Sequence, residues 1–113
     1  MIRFVVEGDP VGKERARKGR GGHWYTPSHT RLYEQRVKLA FLKATSFRRL
    51  NPPAVTVSVR CFFAAKRHPD PDNCLKLILD ALQTLAYPND RHVASQVSHE
   101  YDAKRPRIEV EVE

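Results

Sequence analysis

Hydrophobic and polar positions alternate most strictly over 55–63, where Val55, Val57, Val59, Cys61 and Phe63 interleave with Thr56, Ser58, Arg60 and Phe62. A period of two with β-branched enrichment predicts a strand with one buried face. Ile108 to Glu113 alternates as strictly, and its glutamates fall together on a solvated face rather than in a metal site. Ile2 to Glu7, ending at Gly8-Asp9-Pro10, and Val93 to Asp102 read as two further strands. Two stretches switch to a helical period. From Pro27-Ser28 to about Phe47, the residues Tyr33, Val37, Ala40, Phe41 and Ala44 share one face, while Arg31, Gln35, Lys38 and Leu42 lie elsewhere. That is a core-facing helix with a basic outside. From about Pro71 to Ala86, Leu75, Ile78, Leu79, Leu82 and Leu85 fall within one arc. Leu77 lies on the otherwise polar side, which suggests a second contact surface such as a dimer partner.

The predicted order is strand, basic loop, helix, strand, acidic loop, helix, strand, strand. The economical packing is an α+β domain, a small mixed β-sheet with two helices on one face and the far face free for dimerisation. At 113 residues the chain is expected to form one domain spanning 1–113.

Charge narrows the choice of partner. Twenty Lys and Arg against thirteen Asp and Glu leave a net charge of +7, which favours an anionic partner such as nucleic acid. The excess is concentrated in a loop over about 12–24, where Lys13, Arg15, Arg17, Lys18 and Arg20 precede Gly21-Gly22. So charged and glycine-rich a segment cannot bury itself and is expected to order on an anion, although a merely solvated loop has the same composition. Phosphate backbone suits it, and Trp24 and Tyr25 stand beside it, either to stack on unpaired bases or to pack at its base. No apolar run reaches the ~20 residues needed to span a bilayer. No GKS/T phosphate loop suggests a nucleotide cofactor, and the five histidines lack zinc-ligand spacing. Cys61 and Cys74 form no Cys-x-x-Cys pair and no signal peptide is recognisable, which points to reduced thiols in the cytoplasm.

The candidate chemistry lies in His68-Pro69-Asp70-Pro71-Asp72-Asn73. Each of the two aspartates follows a proline, and in extended backbone residues i and i+2 face one side, so Asp70 and Asp72 can converge on one point. Converging carboxylates need protons or a cation. Asp72, Lys76 and Asp80 then form an i, i+4, i+8 stripe on the helix, and Asn89-Asp90 supplies a third carboxylate in the next turn, 18 residues beyond Asp72. The same residues also suit plain structural work, with Asp70 as N-cap, Pro71 at the first helical position, Asp72 on the helix dipole and Asn-Asp in a turn. Lys66 and Arg67 precede Asp70, where positive charge could hold a substrate phosphate; His68 reads as a surface residue.

The run Asp-x-Asp-Asn-x-x-Lys-x-x-x-Asp-x-Leu from Asp70 to Leu82, followed by an acidic turn and Val93, resembles the RusA family of Holliday junction resolvases. Tyr25-Thr26-Pro27, Thr30 and Tyr33-Glu34 resemble phage and prophage members of that family. The resemblance implies a Mg²⁺-dependent endonuclease, with Mn²⁺ able to substitute, acting as a homodimer on branched DNA. It makes Asp70, Asp72 and Asp90 the metal-binding carboxylates and Lys76 the accessory catalytic cation, with Asp80 a partner for Lys76 or a residue of a solvated face. Lys13, Arg15, Arg17, Lys18, Arg20, Lys66 and Arg67 are the expected nucleic-acid contacts. Asn89 departs from the paired acids common in the family's turn. The competing expectation is a non-catalytic DNA-binding accessory module of the same fold, its aspartates serving as caps.

Overall fold

The computed structural model describes residues 1–14, 17–25 and 28–113, and of Arg17 and Tyr25 only the backbone. The elements are β1 (Ile2–Glu7), β2 (Arg17–Lys18), β3 (Trp24–Tyr25), α1 (Ser28–Ala44), β4 (Thr56–Phe63), α2 (Pro71–Leu82), β5 (Ala94–Tyr101) and β6 (Arg107–Val112). Four strands form one mixed sheet in the order β1-β6-β4-β5. β6 pairs antiparallel with both β1 and β4, while β4 and β5 run parallel, joined by α2 as their crossover. The expected α+β architecture is the observed one.

Register explains why one face is apolar. Phe4 and Val59 both oppose Val110, and Val6 and Cys61 both oppose Ile108, so the inward side chains of three strands line up across the sheet. All of them are buried, and α1 and α2 cover them. The opposite face carries Arg3–Glu111 at 3.2 Å, Arg60–Glu100 at 3.0 Å and Arg107–Glu109 at 2.9 Å. Phe62 points to that open face yet is only 6% exposed, because the Arg107 guanidinium lies 3.8 Å from its ring centroid and Arg60 flanks it.

Both helices stop short of their apolar periodicity. α1 ends at Ala44 rather than Phe47, because Ser46 and Phe47 take left-handed backbone and Phe47 N–H closes on the Leu42 carbonyl. α2 ends at Leu82 rather than Ala86: Thr84 has φ 72°, and its N–H turns to the Tyr87 carbonyl. Ala86 and Tyr87 still reach the core, carried by a turn. The buried face of α2 is Cys74, Leu77, Ile78, Ala81 and Leu82. Leu77 is fully buried in the protein's own core and offers no surface to a partner, which corrects the expectation from the sequence. Leu75, Leu79 and Leu85 pack at the core's margin.

The basic loop is also more structured than its composition predicts. β2 and β3 pair as a short antiparallel ribbon, Arg17 opposite Tyr25 and Lys18 opposite Trp24, closed over Arg20–Gly22. Gly21 and Gly22 both have positive φ, 80° and 82°, a turn that side chains resist.

Candidate active site

β4 delivers the chain to the acidic loop at its carboxyl end, and α2 starts there. Asp70 is the N-cap: its backbone is extended, and its Oδ1 accepts the Asp72 N–H at 2.8 Å, with Pro71 next in the first turn. Capping occupies one oxygen of one carboxylate. The other oxygen of Asp70 and the whole carboxylate of Asp72 are exposed, over the positive end of the helix dipole. The structural and the ligand-binding readings of this pair are therefore compatible. Lys76 follows one turn later, exposed and without an ion-pair partner among the described residues.

Asp90 lies elsewhere. Because β4 and β5 are parallel, the loop entering α2 sits at the carboxyl ends of the strands and the loop leaving it at their amino ends, where Asp90 directly precedes β5. A helix of 12 residues separates the two ends by about 18 Å. Within one chain the expected three-carboxylate cluster does not form, and no group of three metal-ligating side chains occurs among the described residues. Asn89 caps the short turn of Asp90–His92 by accepting the Arg91 N–H at 3.1 Å. Tyr87 donates its hydroxyl to the Leu79 carbonyl at 2.6 Å. Burial pushes its phenol well above the usual range, and the charges of Asp90 and then Asp80 add to the effect.

The root of the basic ribbon packs on the acidic loop. Lys13 N–H bonds the Asn73 carbonyl at 2.9 Å, and its ammonium reaches Glu34 of α1 at 2.6 Å and Asp80 of α2 at 3.2 Å. Burial alone would lower the Lys13 pKa; the hydrogen bonds and charges of Glu34 and Asp80 outweigh it and hold the amine above its ordinary 10.5. Lys13 thus ties the loop to both helices, and Asp80 answers Lys13 instead of Lys76. Gly12 fits between Pro69 and Asn73 so closely that a Cβ there would lie 3.2 Å from the Cβ of each. Glu14 pairs with His29 at 2.6 Å beside the same depression. Of the other expected DNA contacts, Lys18, Arg20, Lys66 and Arg67 are exposed, Arg15 lies outside the described residues and the Arg17 side chain does too.

His68 is more than a surface residue. Its ring stacks on Phe63 at 3.8 Å with the planes 7° apart, Nδ1 lies 2.7 Å from the Pro69 carbonyl and Nε2 lies 3.1 Å from the Tyr101 hydroxyl. The contact to a carbonyl requires Nδ1 to carry the proton, which leaves Nε2 of the neutral ring to accept from the tyrosine. Nothing in the spacing of His68 and Tyr101, on different elements 33 residues apart, announces this contact. The same holds for the contact of Glu34 with Lys13 and that of His29 with Glu14.

The fold and this site together are a small α+β domain presenting an accessible aspartate pair at a helix start, packed against the root of a basic ribbon. The family model described as endodeoxyribonuclease RusA matches residues 7–113, and the chain belongs to that family. That family is one of endodeoxyribonucleases that resolve Holliday junctions, and its members act on branched DNA. No curated protein matches the chain. No helix among the described residues is long and apolar enough to cross a membrane.

Proposed function

We propose that the protein cuts Holliday junctions and related branched DNA by paired symmetric nicks, in the cytoplasm, and that cutting depends on Mg²⁺ with Mn²⁺ able to substitute. The observation that carries this reading is the exposed Asp70–Asp72 pair at the start of α2, set against the root of the basic ribbon. Hard carboxylate oxygens suit Mg²⁺. Asp70, through the oxygen its capping bond leaves free, and Asp72 would hold the ion, which when bound supplies a positive centre for the scissile phosphate and its attacking water. Lys76 places an amine one turn away, where it offsets negative charge on the phosphate. Lys18, Arg20, Lys66 and Arg67 would contact flanking phosphates, and Arg15 and Arg17 extend that set.

Asp90 enters the site through a second copy. A four-way junction is close to two-fold symmetric, so a C₂ homodimer suits paired nicking. In such a pair the Asp90 end of one chain can serve the Asp70–Asp72 end of its partner. Mixing the inactive variants Asp70→Asn and Asp90→Asn tests this arrangement. A shared site leaves one intact centre in the mixed dimer and restores single nicks, whereas a site built within one chain restores nothing.

A non-catalytic junction-binding module is the second reading, favoured by the capping bond of Asp70 and the distance to Asp90. A synthetic four-way junction incubated with and without Mg²⁺ separates the two. Cutting that requires the ion and is lost in Asp70→Asn, with binding retained, supports the nuclease; binding without cutting under either condition supports the module.

A further inference from the structure

Phe63, His68, His99 and Tyr101 form a ring cluster immediately before the acidic loop. Their register is the reason they meet: Cys61 opposes His99 and Phe63 opposes Tyr101 across the parallel pair, so both β5 rings fall on the helix-covered side of the sheet. β5 is the edge strand, and α2 leaves both of these residues exposed, Tyr101 to 55%. The cluster is built from the inside outward. Phe63 is buried, His68 stacks flat on it, and Tyr101 is tethered to His68 through its hydroxyl at 3.1 Å, the two ring centroids 5.6 Å apart. His99 stands edge-on to Tyr101 at 6.3 Å and 90°.

Ordinary core packing does not call for two exposed rings held by a buried scaffold. Lys66 and Arg67, both exposed, lie in the loop between Phe63 and His68 of this cluster, a few residues ahead of Asp70. Aromatic faces together with cations make the surface that binds unpaired nucleobases on a phosphate backbone, because every base offers a π-face and no hydrogen-bond code is needed. A hydroxyl tether limits the freedom Tyr101 has to lose on stacking.

We propose that Tyr101, held by His68 and flanked by His99, is a stacking platform for an unpaired nucleobase next to the strand engaged at Asp70–Asp72. The inference deepens the nuclease reading by naming what the site grips besides phosphate, and it concerns binding rather than cutting. A platform of this kind favours DNA whose bases are already free of partners, as at a branch point, over continuous duplex.

The test is run in EDTA, so that its outcome does not depend on cleavage. The probe is a four-way junction carrying 2-aminopurine beside the branch point, whose fluorescence falls when the base stacks on a ring. The native protein and Tyr101→Phe should quench it. Tyr101→Leu should lose the quench and bind the junction about tenfold more weakly, with affinity for linear duplex and melting temperature unchanged. Quenching and junction affinity that survive in Tyr101→Leu overturn the proposal, as does a quench lost only in Trp24→Leu, which would place the stacked base on the ribbon. If the quench follows Tyr101 but the native protein never cuts in Mg²⁺, the nuclease reading fails and the platform stands. If cutting is intact and Tyr101→Leu changes nothing in EDTA, the platform fails alone.

Discussion

The two ends of α2 carry acid under opposite conditions. At its start, Asp70 and Asp72 are exposed, the helix dipole favours their charge, and one backbone N–H is the only hydrogen-bond partner of their carboxylates among the described residues. Towards its end, Asp80 is paired with Lys13, and Asp90 lies half-buried near a phenol that burial keeps neutral. Carboxylates at the first end are free to meet a ligand. At the second, Asp80 is already held by Lys13, and Asp90 stands a helix length away from the first pair.

The sharpest break of this comparison is Asp70→Asn or Asp72→Asn, expected to lower the rate of junction cutting by about 10²–10³-fold. Asparagine caps helices about as well as aspartate, so Asp70→Asn should leave the melting temperature nearly unchanged. A large drop in melting temperature with Asp70→Asn would mean that the residue's main work is structural. Between the two ends, Leu77→Ala should cost about 2–5 kcal/mol in denaturant unfolding, because Leu77 is fully buried. A change confined to dimerisation, with monomer stability intact, would restore Leu77 to a surface role.

At the second end, Lys13→Met should cost about 1–2 kcal/mol by removing the ammonium shared by Glu34 and Asp80, discounted because Asp80 is 43% exposed. The folded-state pKa of Lys13 is raised, so its contribution is in full force below pH 10.5 and is lost as pH rises through the folded value. The alkaline decline in stability should therefore be shallower in Lys13→Met than in the native protein. The smallest effect is expected from Tyr87→Phe, about 1 kcal/mol for the hydrogen bond to Leu79. Its phenol stays protonated in the folded state but ionises near 10.0 when unfolded, so this contribution too fades above that pH. Thermal melts between pH 8 and 11 check both slopes.

Much of the fold was legible because burial in a one-sided sheet has period two. Val57, Val59, Cys61 and Phe63 announce their face, as do Ile108, Val110 and Val112. The face of α2 was harder to read. Leucine recurs around more than half of that helix, and hydrophobicity ranks Leu75 and Leu79 above Cys74 and Ala81, yet the small residues are what fit where α2 meets both α1 and the sheet. Asp70 was legible both as cap and as ligand; the cap is observed, and the capping bond engages one of its two carboxylate oxygens. The separation of Asp90 was implicit in the chain order, since an acid before a crossover helix and one after it finish at opposite ends of the sheet. The contact of Lys13 with Glu34 and Asp80, and that of His68 with Tyr101, left no trace in spacing because each joins elements far apart in sequence.

Gly12 sets a clearance. With a hydrogen atom for a side chain, it lets the ribbon's root lie directly on Pro69 and Asn73, where a methyl group would meet two carbons at 3.2 Å. Gly12→Ala would act as a wedge, prising the root of the basic ribbon from the acidic loop by a few tenths of an ångström. The spacing between the ribbon and the two exposed carboxylates is in this sense set by a residue that has no side chain at all.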